Sequence, residues 1–147
     1  MRALVLAVIC FVTFKFVLVP VRVEGISMLP TYNNHSIHLV NRLAYLFHEP
    51  RRGDVVAIGL KAGDHVMYMK RVIGLPGESV AFRQGRLMIN GNRMDEPYLR
   101  LPCNWEHEPK PVGPNQYYVV GDNRQMSWEG HEQGRAERNY IVGKVVL

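Results

Sequence analysis

Cysteine is scarce: the 147 residues contain two. Cys10 lies in an apolar N-terminal stretch and Cys103 in a proline-rich one, so a bridge between them is not expected and a disulfide scaffold is excluded. No CxxC and no HExxH occurs. The six histidines, His35, His38, His48, His65, His107 and His131, are scattered without ligand spacing. They are expected at the surface or in turns, with no metal and no cofactor. A tight Lys/Arg run is missing too, and so is any nucleic-acid-binding motif. The net charge of +5 fits a solvated basic surface or an anionic membrane surface, and without such a run or motif no nucleic-acid partner is expected. There is no internal repeat, no low-complexity segment and no sustained helical period.

What is present fits one domain able to bury a core without disulfides. Hydrophobic residues make up 47%, and 13 Gly and 9 Pro punctuate them, as in short strands joined by tight turns. The N-terminus stands apart. Ala3 to Phe14 is nearly unbroken apolar sequence, with Arg2 before it and Lys15 after it. A full span needs about 20 apolar residues, a length approached only if Lys15 snorkels and the count continues to Val21. A cleavable signal peptide competes, but VPVRVEG offers no A-x-A cleavage pattern. The expected organisation is an uncleaved membrane anchor over 1–15 and an extracytoplasmic β catalytic domain over 16–147, the orientation resting on Arg2.

The remainder reads as strands. Phe16 to Val23 alternates, with Pro20 marking an edge strand or a bulge. Ile37–Val40 and Asp54–Gly59 follow, then a strand opening at His65 in HVMYMKRVIG and closed by Pro76-Gly77. Val80–Arg83 pairs with Arg86–Ile89 across Gln84-Gly85 as a hairpin, and Asn90-Gly91 turns the chain again. Residues 94–116, with five prolines, are expected to be mostly loop. YYVVGDN is a strand entering a turn, and NYIVGKVVL closes the chain.

Two residues raise a chemical question. Ser27 lies in EGISMLPTY between the apolar terminus and the basic remainder. A serine hydroxyl needs a base to become a nucleophile, and no histidine has a suitable context. A lysine serves if burial disfavours its ammonium form, which would make it titrate below a free lysine. Lys70 shares a strand face with Val66, Tyr68 and Val72, and Arg71 shares the other with Met67, Met69 and Ile73. One of the two cations is expected to be buried, and an arginine would need a carboxylate. Lys61, Lys110 and Lys144 sit in or beside turn signals. On pattern alone, Ser27 reads better as a turn serine and Lys70 as a solvent-facing lysine.

Several stretches in order resolve this by resemblance. VEGISMLPT, RRGDVVAI, YMKRVIGLPGE, GRLMINGNRMDEPYL, YYVVGDNRQMS and NYIVGKV resemble type I signal peptidases, membrane-anchored Ser/Lys endopeptidases. The resemblance runs from about Phe14 to the end. It implies a mainly β fold, with a β-ribbon catalytic core shared with the self-cleaving repressors of the DNA-damage response, behind a short N-terminal membrane-anchoring helix. It implies Ser27 as nucleophile and Lys70 as general base. Met28 and Pro30 would wall the nucleophile segment, Tyr68 would pack beside the lysine, and Arg71 would support it. Asp122, Asn123 and Arg124 would brace the site from a turn, and Ser127 would hydrogen-bond Lys70. The amide of Ser27 would serve the oxyanion. Gly25 stands where some members carry a serine as second donor. In SWEGH, Glu129 stands for the usual aspartate, and the supporting ion pair is in doubt because Gly130 and His131 follow.

The implied partners are signal-peptide-bearing preproteins, cut after small residues in an Ala-X-Ala pattern, and an anionic lipid bilayer, with the protein a monomer. The implied location is the bacterial cytoplasmic membrane, single-pass, with the mitochondrial inner membrane as alternative. The Phe16–Val23 strand and the Val66–Tyr68 region would line the substrate pockets. Other readings are a conjugation-linked or mitochondrial-type branch, and a tethered β module that binds exported peptides without cutting them.

Overall fold

The computed structural model describes residues 2–59, 67–131 and 133–146. Lys61, His65 and Val66 lie outside the described residues, as does Leu147 at the end of the closing strand. The chain opens with α1 (Arg2–Val12), whose side chains are exposed, and a wide helical turn at Thr13–Val17. No helix among the described residues is long and apolar enough to cross a membrane.

The rest is antiparallel β structure. A seven-stranded sheet has the order β1 (Leu18–Arg22), β2 (Ile37–Asn41), β11 (Ile141–Val145), β3 (Val55–Gly59), β4 (Met67–Gly74), β9 (Gln116–Val120) and β10 (Gly134–Glu137). A four-stranded sheet orders β7 (Asn92–Arg93), β6 (Arg86–Ile89), β5 (Ser79–Arg83) and β8 (His107–Pro111). The fold is thus mainly β with a short N-terminal helix.

Local chemistry explains the elements. Pro20 lies in β1, which is an edge strand, so its missing N–H costs no ladder bond. The β5–β6 register matches Val80 with Ile89 and Arg83 with Arg86, leaving Gln84-Gly85 as a two-residue turn. Both turn residues have positive φ, 48° and 71°, the geometry that suits strand twist and that Gly85 adopts without strain. Within the mostly loop stretch 94–116, β8 forms; Pro109 and Pro111 are tolerated because β8 is also an edge. β10, too short and polar to announce itself, was not anticipated.

Three apolar clusters hold the sheets. One joins the small sheet to the ends of β4 and β9, through Ile73, Phe82, Leu87, Trp105, Tyr118 and Val120. The other two cover opposite faces of the large sheet, one around Val56, Val72, Tyr117 and Val119, the other around Met28, Val40, Val55 and Ala57. The pairing leaves two strand edges open beside each other. β1 has β2 on one side only. β4 pairs with β3 from Met67 to Arg71, but with β9 only from Arg71 onward, so among the described residues no strand lies on the other side of 67–70.

Lys144 lies in β11, the closing strand, where its Nζ donates to Asp54 Oδ1 at 2.6 Å. Asp54 Oδ2 also accepts from the Arg51 amide and the Tyr45 hydroxyl. Burial pushes the Asp54 pKa up, but those three donors outweigh it and hold the carboxyl below its ordinary value of 3.8. A depressed folded pKa adds stability that is present above the unfolded value and lost as pH falls through the folded one. Asp54→Asn is therefore expected to unfold more easily at neutral pH, with the difference from the parent closing below about pH 4, read by urea midpoints across pH. A difference that persists undiminished at pH 2 would contradict this.

Candidate active site

Ser27 sits in a tight loop between β1 and β2. Its backbone carbonyl accepts from the Asn123 amide at 2.9 Å, and Asn123 Nδ2 donates to the carbonyl of Ile26 at 3.0 Å. Gly121 makes this approach possible. A Cβ there would fall 2.1 Å from the Ser27 carbonyl oxygen, so only glycine lets the two backbones meet. The Leu29–Pro30 peptide in the same loop is cis.

Lys70 enters from β4. Its Nζ donates to Ser27 Oγ at 2.8 Å and lies 5.9 Å from the Tyr68 ring centroid. The lysine is 3% exposed. Arg71, the next residue, points to the opposite face and is also buried, so both cations of the strand are inside rather than one. The carboxylate it needs is Asp122: Nε donates to Oδ1 at 2.8 Å and Nη2 to Oδ2 at 2.6 Å. Arg71 Nη1 donates to the Gly53 carbonyl, and its guanidinium lies 3.9 Å over the Tyr98 ring. Burial opposes the guanidinium charge, but the Asp122 carboxylate outweighs it and raises the pKa. Thr31 Oγ1 donates to Asp122 Oδ2 at 2.6 Å, so the same carboxylate holds the far side of the nucleophile loop.

Behind this lies a second buried pair. Arg124, fully buried, donates to the Gly121 carbonyl at 2.9 Å and to Glu96 through both terminal nitrogens, at 3.1 and 2.6 Å. The Tyr98 hydroxyl donates to Glu96 at 2.6 Å, and burial followed by the Glu96 charge raises its pKa strongly, which keeps it a donor. The cleft above has a volume of about 790 Å³. It runs between the open edges of β1 and β4, with Ser27, Lys70, Met28 and Met69 inside it and Met126 and Gly130 at its border.

The structure brings together Ser27, Lys70, Tyr68, Met28, Arg71, Asp122, Asn123 and Arg124 as expected. Gly25 lines the cleft with φ +99°, and its amide donates to Asn34 Oδ1. Pro30, Ser127 and His131 are placed otherwise than expected. Pro30 is exposed and outside the cleft lining. Ser127 is exposed, and its Oγ accepts from the Gly130 amide at 3.2 Å; no hydrogen bond among the described residues joins it to Lys70. The cause is packing: Trp105 Nε1 donates to the Met126 carbonyl, and Trp128 sets its ring against Trp105, which turns Ser127 outward. Glu129 is exposed, with no ion pair among the described residues. His131 is buried beside the Trp105 ring rather than at the surface. Sequence reasoning missed Gly121, Thr31, Glu96 and Tyr98. The SMLPT, DEPYL and GDNR stretches carried them, but a hydrogen-bonded partner far away in sequence leaves no periodic signal.

This geometry agrees with comparisons to known proteins. The family described as signal peptidase, peptidase S26, matches residues 1–147. Signal peptidase I of Leptolyngbya laminosa is 37% identical over 128 residues, covering 82% of this chain and 63% of that protein. Signal peptidase I S of Bacillus subtilis (strain 168) is 37% identical over 140 residues, covering 87% and 74%. The crystal structure of a signal peptidase I from Enterococcus faecalis V583 superposes with a TM-score of 0.52 at 27% identity, covering 67% of this chain and 97% of that one. The chain belongs to the signal peptidase family, peptidase S26.

Removing one partner of a buried pair leaves an uncompensated charge, at a cost of about 3–5 kcal/mol. Asp122→Ala is expected to lower unfolding stability by about that amount in a urea titration. A loss under about 1 kcal/mol, the value of an exposed pair, would contradict the bracing assigned to it.

Proposed function

We propose that this protein is a signal peptidase I: a serine endopeptidase that removes N-terminal signal peptides from exported precursors after small residues in an Ala-X-Ala pattern. The observation that carries this is the 2.8 Å contact between Lys70 Nζ and Ser27 Oγ at the floor of the cleft. Burial penalises an ammonium, and a neutral amine accepts the hydroxyl proton through the same contact. Ser27 Oγ then attacks the scissile carbonyl, and the amide of Ser27 receives the developing oxyanion. Lys70 returns its proton to the leaving amine as the C–N bond breaks. Water attacks the resulting ester, with Lys70 taking its proton and restoring the Ser27 hydroxyl.

The precursor lies extended between the open edges of β1 and β4, whose unpaired backbone groups bind it as an added strand. Side chains one and three positions before the cut then point the same way. Val19, Val21, Met28 and Met69 line the cleft, and an apolar wall of this kind suits small aliphatic side chains at those two positions.

The protein works as a monomer at an anionic bilayer, the cytoplasmic membrane of a bacterium, with residues 1–15 as anchor and the β domain outside the cytoplasm. A second apolar feature supports contact with lipid. Leu43, Leu46 and Phe47 are exposed in the loop after β2, Phe47 at 96%. The Arg42 amide donates to the Val17 carbonyl, which holds this loop beside the end of the N-terminal segment.

Ser27→Ala and Lys70→Met are each expected to lower cleavage of an Ala-X-Ala precursor by at least about 10³-fold while the cooperative unfolding transition remains. A folded parent that binds precursor and releases no product would make it a peptide-binding module instead. For the lipid contact, a Phe47→Trp variant is expected to gain emission that brominated-lipid vesicles quench; equal emission with and without bromine would contradict it.

A further inference from the structure

Two buried ion pairs stand behind the nucleophile loop, and they reach into different sheets. Arg71–Asp122 ties β4 of the large sheet to the turn after β9. Arg124–Glu96 ties that same turn to the segment leaving β7 of the small sheet. One side chain touches both. The Tyr98 hydroxyl donates to Glu96 Oε1 at 2.6 Å, and the Arg71 guanidinium lies over the Tyr98 ring, 3.9 Å from its centroid. Tyr98 is half-buried and outside the lining of the cleft that holds Ser27 and Lys70.

Local sequence puts it there. In Glu96-Pro97-Tyr98-Leu99 the Leu99 amide donates to the Glu96 carbonyl at 3.0 Å, which closes a four-residue turn. Proline in the second place presets the backbone angle that such a turn needs. The turn delivers the Glu96 carboxylate to Arg124 and the Tyr98 ring to Arg71. Asp122 and the Gly53 carbonyl hold Arg71 through its N–H groups. Bonds of that kind lie in the guanidinium plane and resist sliding within it. A ring against one face resists tilting out of it, and exclusion of water strengthens the attraction between cation and ring.

We propose that Tyr98 is a positioning residue for the Ser27–Lys70 pair and acts through Arg71. The inference rests on the proposed peptidase reading. Arg71 follows Lys70 in β4, so a tilted guanidinium shifts the strand backbone beside the residue that carries the amine. The ring seated on Arg71, tied by its hydroxyl to Glu96, makes the small sheet a third support for the separation of Lys70 Nζ and Ser27 Oγ. The ring carries this role and the hydroxyl serves it. Without the hydroxyl, Glu96 still has its two bonds from Arg124.

The experiment uses the full chain and an Ala-X-Ala precursor, with kcat and KM measured separately and folding checked by urea midpoints. Tyr98→Leu is expected to lower kcat about tenfold and to leave KM within about twofold of the parent, because the side chain lies outside the cleft. Tyr98→Phe keeps the ring and is expected to recover kcat to within about threefold of the parent. In a background that already carries Arg71→Met and Asp122→Leu, Tyr98→Leu is expected to lower kcat by less than about a further twofold, since its route to Lys70 is gone. The proposal is overturned, while the peptidase reading stands, by any of three results: a folded Tyr98→Leu with parental kcat, a Tyr98→Phe as slow as Tyr98→Leu, or a loss that persists in full without the Arg71–Asp122 pair. Should Tyr98→Leu not fold, Pro97→Gly decides, because it loosens the turn at an exposed position. A kcat about threefold below the parent at unchanged KM then supports the proposal, and a parental kcat overturns it. A parent that cleaves no precursor removes the peptidase reading and this inference with it.

Discussion

The buried Arg71–Asp122 pair is the interaction on which the site depends. Arg71 adjoins Lys70 on β4, and Asp122 adjoins Gly121 and Asn123, which hold the backbone of Ser27. One carboxylate thus takes two hydrogen bonds from the strand that carries the amine and one from Thr31 in the loop that carries the hydroxyl. The distance between amine and hydroxyl is set by these links and not by the long, flexible lysine side chain. A misplacement of about 1 Å can cost two orders of magnitude in rate, so such bracing is worth its desolvation. Two opposite charges out of water contribute little net stability; here their value is in fixed geometry.

The sheet makes the complementary half of the site by what it leaves undone. β9 ends its pairing with β4 at Arg71, and among the described residues the four from Met67 to Lys70 have no strand on that edge, which faces that of β1. The chain released by β9 then supplies Gly121 to Arg124 to the space where a further strand would have run. Arg124 and Glu96 close the back, so the turn is fixed from both sides. The aromatic cluster of Trp105, Trp128 and Phe82 does the remaining work, holding the 126–131 loop at the border of the cleft in place of the doubtful Glu129 pair.

Much of this was legible in the sequence. The Val80–Ile89 hairpin was readable because a two-residue turn fixes its register. Lys70 and Arg71 drew attention because charge on an alternating apolar strand has few explanations. The resemblance then paired Lys70 with Ser27, 43 residues apart, a step periodicity could not take. What stayed hidden depends on contacts between distant segments. β8 was masked by its prolines, which penalise a central strand but not an edge. The need for glycine at 121 appears only when the Ser27 carbonyl is set against it. Ser127 was misplaced because the ring of Trp128 decides where its neighbour points, and no local pattern records that choice.

The most direct test is a double variant that removes the pair without leaving a stray charge, Arg71→Met with Asp122→Leu. Apolar replacement of a whole buried pair is often neutral for stability, so this protein should fold. Its kcat on an Ala-X-Ala precursor should nevertheless fall by about 10²-fold or more, because Lys70 and Ser27 lose their common brace. A well-folded double variant that turns over precursor at nearly the parental rate would contradict the account.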